Sequence, residues 1–296
     1  MGVHKVIAIG EIVWDCLPAG KQLGGAPLNF AFFAKELGTD AYAISAIGAD
    51  ELGDETLEVA SDTGVCLDFV QRNELPTSRV LVTLNEDGVP QYEIVEGVAW
   101  DAMEISSAAL KLVEDASVIC WGSLAQRSDK SRKSVLALLD AAPESCLKVF
   151  DINIRQHYYN TDIVEASLIR ADILKLNEDE LPLVAQMLDL SGSEKEIVKL
   201  LIDKYSLQCL IYTHGAEFSE VYTADGEYSH VTTPKVPVAD TVGAGDSFTA
   251  VFVTSLLSGK SVQESHMLAV EVSAFVCTKS GAITPLPNHI RSSFKR

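Results

Sequence analysis

Short apolar runs alternate with amphipathic stretches along almost the whole chain, and this order constrains the fold more than any other feature. Residues 6–9, 42–47, 118–121, 147–151 and 173–176 are apolar runs of strand length, while 29–37, 131–139, 163–169, 181–187 and 196–205 carry the apolar spacing of helices. Gly38 stands where the first helix should stop. Strand and helix in alternation imply a parallel sheet covered by helices on both faces, a three-layer α/β/α, Rossmann-like sandwich. Two stretches break the rhythm. Residues 66–95 show no helical period; 80–84 and 91–95 flank a turn at Glu86-Asp87-Gly88 and read as a β-hairpin, and 12–23 is also extended in character. These segments predict a small β-sheet lid over the main domain, built from about residues 11–24 and 66–98; the alternative is that they are edge strands of the main sheet. With no internal repeat, low-complexity tract or long linker, residues 1–296 read as one domain that includes the lid.

Composition removes several classes of function. The formal net charge is -19 and the pI about 4.6, so neither nucleic acid nor an anionic membrane surface is expected as a partner, since both need clustered Lys and Arg. The six cysteines are widely separated, several lie in apolar runs, and no Cys-x-x-Cys pair occurs, which argues against zinc and disulfides and for a reducing compartment. The apolar run 6–9 ends at Gly10-Glu11, too early for a signal peptide or a membrane span, and the expected location is cytoplasmic.

The strongest local feature is Asp240-Thr-Val-Gly-Ala-Gly-Asp246, followed by an apolar helical run to Leu257. Glycines before a helix let the backbone approach a ligand, and the unpaired amides of the first turn suit an anion. A transferring phosphoryl group would sit well there, with Asp246 as a base for the attacking hydroxyl. Taken alone, the same residues are also a glycine turn with an acid favoured by the helix dipole. Two familiar nucleotide motifs fail on spacing. The one Gly-Lys-Ser, at 259–261, has Thr254 where a Walker loop needs glycine and reads as a helix end followed by a helix start. The first strand is followed by Gly10-Glu-Ile-Val-Trp-Asp15, which is no dinucleotide fingerprint.

Four motifs, in order along nearly the whole chain, resemble those of the ribokinase-like (PfkB-type) carbohydrate kinases: Gly10-Glu11 through Asp15, Gly24-Gly25-Ala-Pro-Leu-Asn29, Asn177-Glu-Asp-Glu180, and Asp240 through Phe248. The resemblance implies the ribokinase-like α/β/α fold and transfer of the ATP γ-phosphoryl group to a sugar hydroxyl. It implies Asp246 as catalytic base and Gly243, Ala244 and Gly245 as an anion hole. Asp15, Gly24, Gly25 and Asn29 would hold the sugar, and Asn177 and Glu180 would organise Mg2+ and phosphate largely through water. Thr213-His-Gly215 looks like the start of the family's nucleotide loop, although Phe218 stands where a second glycine is expected. Ser280-Gly281-Ala282 is similar to the segment beside the adenine, and with Asp240 and Val242 it would shape a monovalent cation site for K+.

Asp151-Ile-Asn-Ile-Arg155, residues 122–127 and Ala26-Pro27 resemble the fructokinase branch, with Arg155 either a sugar ligand or a surface ion pair. Fructose is thus the leading substrate; 2-keto-3-deoxygluconate, ribose or a nucleoside are alternatives within the kinases, and an inactive sugar or nucleotide sensor is the alternative of another class. Because ATP is polyanionic and the chain is acidic, its phosphates must be met by local amides, a helix N-terminus and magnesium. A lid edge that pairs across a two-fold axis would make a homodimer.

Overall fold

The computed structural model describes residues 3–17, 20–84 and 90–294. In chain order the strands and helices are β1 (Lys5–Ile9), β2 (Val13–Leu17), β3 (Gly20–Gly24), α1 (Ala26–Glu36), β4 (Asp40–Gly48), α2 (Glu51–Ser61), β5 (Val70–Asn73), β6 (Arg79–Leu84), β7 (Pro90–Ile94), α3 (Ser107–Val113), β8 (Val118–Trp121), α4 (Asp129–Ala141), β9 (Leu147–Asp151), α5 (Thr161–Leu168), β10 (Ile173–Asn177), α6 (Glu180–Met187), α7 (Glu194–Tyr205), β11 (Cys209–His214), β12 (Phe218–Thr223), β13 (Tyr228–Thr232), α8 (Ala244–Leu257), α9 (Val262–Cys277) and α10 (Asn288–Ser292). They build one nine-stranded sheet in the order β13-β12-β11-β10-β9-β8-β1-β4-β5 and a separate four-stranded sheet in the order β3-β2-β6-β7.

From β5 to β11 every neighbouring pair in the large sheet is parallel, whereas β12 and β13 continue it as antiparallel strands. Alternate residues of each parallel strand enter two different cores. Ile7, Ile9, Ile119, Trp121, Phe150 and Leu174 face one side, with buried residues of α3 to α7. Val6, Ala8, Val118, Cys120, Val149 and Ile173 face the other, against α1, α8 and α9. Strands buried on both faces must be apolar at nearly every position, which is why they read as continuous runs in the sequence.

The small sheet is as expected in kind and narrower in extent. β6 and β7 form the anticipated hairpin, with its turn at Glu86-Asp87-Gly88 outside the described residues. Within the predicted lid segment 66–98, however, β5 belongs to the large sheet, pairing Ser45 with Val70 through Gly48 with Asn73. Its four residues, Val-Gln-Arg-Asn, carry too little pattern to reveal their partner. The Gly259-Lys-Ser261 segment is the expected helix end and start: Ser261 caps α9 by a reciprocal capping box with Glu264.

Two anchors fix the small sheet to the main domain. On one side Ile12, Trp14 and Leu23 pack on Leu28 of α1 and Ala60 of α2, and the Trp14 indole donates to Thr56 Oγ1 at 2.8 Å. On the other, Arg127 makes a forked ion pair with Asp101 (2.8 and 2.9 Å) and donates to the carbonyl of Val95, just past β7. Its guanidinium lies 4.0 Å from the ring centre of Trp100 and 4.6 Å from that of Tyr158, whose hydroxyl donates to Ile94 O. Only 6 % of the Arg127 side chain is exposed. Truncating one partner of such a pair strands the other charge in the interior. Arg127→Met should therefore cost about 3–5 kcal/mol in equilibrium urea unfolding, and a loss below about 1 kcal/mol, the size of a surface-pair effect, would show that Asp101 and the root of the small sheet do not depend on it.

Candidate active site

A cavity of about 760 Å3 opens at the carboxyl ends of the parallel strands, between the large sheet and the small one. Val13, Asp15, Gln22, Val80 and Ile94 of the small sheet form one wall, so this sheet stands over the site as a lid would. Seven carboxyl side chains line the cavity and only two cations, Arg155 and Lys175.

The start of α8 is the centre of the arrangement. Gly243, its N-cap, has φ of +79°, and a Cβ there would stand 2.7 Å from that of Ala282. Glycine therefore serves both the turn and the packing. Ala244 N–H, expected in the anion cradle with Gly243 and Gly245, turns back to Thr241 O at 3.3 Å, while the first-turn amides of Gly245 and Asp246 have no partner in the helix. Beneath this turn lies a pair that motif reasoning missed. Lys175 and Asp151 are register partners in the β9–β10 ladder and meet at 3.0 Å, each side chain only 9 % exposed. Asp151 Oδ2 accepts from Thr249 one turn into α8, while Lys175 Nζ lies so close to Gly245 that a Cβ there would stand 3.1 Å away. Burial works against the Lys175 charge, but Asp151, Glu180 and Asp246 outweigh it and hold its pKa above the ordinary value. The available signal was a single lysine in the otherwise apolar run Ile173-Leu-Lys-Leu176.

Asp246 is half-buried in the cavity wall. Burial and the negative charge of Asp151 push its carboxyl up to about 6, against the opposing hydrogen bond from Asn29 Nδ2 to Asp246 Oδ2 at 2.7 Å. That bond joins the N-terminal half of α1 to the start of α8. Gly25, the N-cap of α1, has φ of +111°, and a side chain there would overlap the carbonyl oxygen of Glu11. Asp15, on β2, has its carboxyl raised by burial and then by Asp240. Gly24 stands outside the lining, directly behind Asp15. Glu11, also missed as a site residue, lines the same end; it is 4 % exposed and burial pushes its carboxyl up to about 7. Arg155 enters from the loop after β9, between Asn153 and Gln156, which line the cavity and hold positive φ of 44° and 48°. Such backbone strain in non-glycine residues gathers at working sites.

At the other end of the cavity, Asn177, Glu180, Thr213 and Gly215 stand together at the ends of β10 and β11. Glu180 spends both carboxylate oxygens on main-chain amides, those of Ile154 (2.8 Å) and Asn177 (2.9 Å), while Asn177 Oδ1 accepts from the amides of Asp179 and Glu180. Burial raises the Glu180 carboxyl. Among the described residues no three acidic, histidine or cysteine side chains gather to hold a metal. Phe218, the departure from the glycine pattern, begins β12 and stacks between His214 and His230, leaving Gly215 at the cavity. Asp240 accepts the amides of Val242 and Gly281, both at 3.1 Å, tying the glycine turn to the segment after α9; Asp240 and Val242 line the cavity and Gly281 stands just outside it.

Residues 10–289 match the profile of the pfkB family carbohydrate kinases. The chain belongs to that family. Its members are ATP-dependent kinases acting on an alcohol group of a sugar, and this chain is one of these phosphotransferases. It is 29 % identical to the fructokinase of Escherichia coli, over 96 % of each chain, and 26 % identical to the ATP-dependent 6-phosphofructokinase of Thermoanaerobacterium thermosaccharolyticum, over 96 % of this chain and 91 % of that one. Among solved structures, that of the Xylella fastidiosa fructokinase with bound ATP superposes with a TM-score of 0.85 at 22 % identity, covering 98 % of this chain and 97 % of the other, which establishes the ribokinase-like fold. No helix among the described residues is long and apolar enough to cross a membrane.

Gly243→Ala places a β-carbon against Ala282 in a left-handed backbone. It should cost roughly 1–2 kcal/mol or more of stability and weaken nucleotide binding in calorimetry; unchanged binding would separate this turn from the nucleotide.

Proposed function

We propose that this kinase transfers the γ-phosphoryl group of Mg2+-bound ATP to a primary hydroxyl of a small sugar, with D-fructose giving fructose 6-phosphate as the leading reaction. The observation that carries the reading is the 2.7 Å bond from Asn29 to Asp246 at the glycine-flanked start of α8, which joins a sugar-side amide to a half-buried carboxylate. Asp246 is the base: its ionised carboxylate takes the proton of the attacking hydroxyl as that oxygen bonds to the γ-phosphorus and the bond to ADP breaks. Asn29 orients Asp246, and the amides of Gly245 and Asp246, with Gly243 shaping the turn, face the charge on the transferring group. Lys175, tied to Asp151, adds the one fixed cation beneath that turn. Asp15, Gly25 and Arg155 bound the sugar, and Asn177, Glu180, Thr213 and Gly215 the nucleotide end.

Magnesium fits this chain because the lining is so acidic: ATP would meet seven carboxyl groups unless its own charge were offset. When bound, the ion supplies charge neutralisation at the phosphates. A K+ ion beside Asp240 and Val242, and a homodimer through the edge strands of the small sheet, complete the reading. Dependence of turnover on added K+ tests the former, and sedimentation the latter. An inactive sensor would have no use for a base at a helix start, and the intact Asp246 disfavours it.

ADP release with Mg2+ and ATP, measured against fructose, ribose, 2-keto-3-deoxygluconate and adenosine, should show turnover with fructose. Turnover with another member alone moves the substrate and keeps the kinase. Asp246→Asn should lower kcat by about 10²- to 10⁴-fold with sugar and ATP affinities nearly unchanged. Because the Asp246 carboxyl is raised to about 6 and must be ionised to act, kcat/KM should fall as pH drops through that value and level off above it. An acid limb that persists in the Asp246→Asn variant would assign it to another group.

A further inference from the structure

Strand β3 presents different residues on its two faces. Lys21 pairs with Glu55 of α2, and Leu23 packs with its register partner Trp14 in the cluster on α1 and α2. Gln22 takes the opposite face beside its own register partner, Asp15, and both line the cavity. There Gln22 meets the segment after α9. A β-carbon on Gly281 would stand 3.0 Å from Gln22 Oε1 and 3.4 Å from its Cδ, while the Gly281 amide is already given to Asp240. The contact is one of bulk, the end of a side chain resting on a bare Cα. The next residue, Ala282, backs the start of α8: a β-carbon on Gly243 would lie 2.7 Å from that of Ala282. Ile283 in turn packs against the cluster of Trp14 and Leu23. One short segment thus touches the small sheet on one side and the glycine turn on the other.

We propose that Gln22 is a positioning residue: by bearing on Gly281 it links the small sheet to the glycine turn of α8, so that a sugar held under that sheet tightens the binding of ATP. This rests on the reading of the site as a sugar kinase and adds to it a route by which the two substrates favour one another. Two opposing contacts set the seat of the strand. The charge of Asp240 acts on Asp15 across the cavity and works against the approach of β2 and β3, and a sugar hydroxyl donated to Asp15 offsets that charge. With the acceptor in place, Gln22 rests on Gly281, and Ala282 holds Gly243 in the turn that presents the amides of Gly245 and Asp246. Such coupling is reciprocal, so the nucleotide tightens the sugar by the same factor.

Calorimetry with a non-hydrolysable ATP analogue and Mg2+, without sugar and with saturating fructose, gives two dissociation constants whose ratio is the coupling factor. In the wild type this factor should be on the order of fivefold or more. Gln22→Ala should bring it close to unity, whereas Gln22→Met, which keeps the length of the side chain, should retain most of it. A wild-type factor of unity with both ligands bound, a factor unchanged in Gln22→Ala, or one lost equally in Gln22→Met would overturn the proposal while leaving the kinase reading intact wherever ADP release shows turnover. Absence of turnover with every sugar would instead sink the kinase reading, and the binding ratio would still decide this one. If fructose does not bind, the sugar that is turned over takes its place, and binding of none overturns the proposal. Should Gln22→Ala fail to fold, the wild type carries the test: the analogue alone should slow amide hydrogen exchange in β2 and β3, and unchanged exchange there overturns the link.

Discussion

The site depends on one buried ion pair. Lys175 and Asp151 occupy register positions in neighbouring parallel strands, both side chains directed to the face that α8 covers. Taking two charges out of water costs several kcal/mol per ion, roughly, and close contact must offset it. The hydrogen bond from Thr249 to Asp151 supplies part of that offset and, in doing so, seats the first turns of α8 on the sheet. Lys175 Nζ then fills the space under Gly245, where no larger residue would fit without displacement. The glycine turn is held by charge from below as well as by Asp240 and its amide partners from behind.

From that fixed turn the electrostatics of the cavity follow. Burial, and then the negative charge of nearby Asp151, lift the Asp246 carboxyl. The hydrogen bond from Asn29 and the charges of Lys175 and Arg155 oppose the lift. The two ends of the cavity then differ in what they lack. The end at Asn177 and Glu180 is made of turns whose polar groups satisfy one another. The end at Glu11 and Asn29 holds two acceptor atoms, Glu11 Oε2 and Asn29 Oδ1, with no hydrogen-bond partner among the described residues.

The small sheet brings the two halves of the chain's argument together. Its residues Asp15 and Gln22 reach the cavity, yet its stability is rooted elsewhere, in the Trp14 contact with α2 and the Arg127 cluster behind β7. The loop that supplies Tyr158 to that cluster also carries Arg155 into the cavity, so the root of the small sheet and a lining residue share one short segment.

The sequence alone determined the alternation of strand and helix, the hairpin, the helix after the glycine turn and the family, because local period, turn chemistry and short motifs are properties of neighbouring residues. It also brought Asp15, Asn29, Asp240 and Asp246 to notice, each within such a motif. Only the tertiary structure decided that β5 joins the large sheet, that Lys175 answers Asp151, that Ala244 returns its amide to Thr241, and that Glu11 Oε2 has no hydrogen-bond partner among the described residues. The first two turn on partners distant in the chain, as does the bond between Asn29 and Asp246, 217 residues apart. A register, a buried charge pair or an empty hydrogen-bond position exists only once the sheet has set which strands are neighbours and water has been removed from between them.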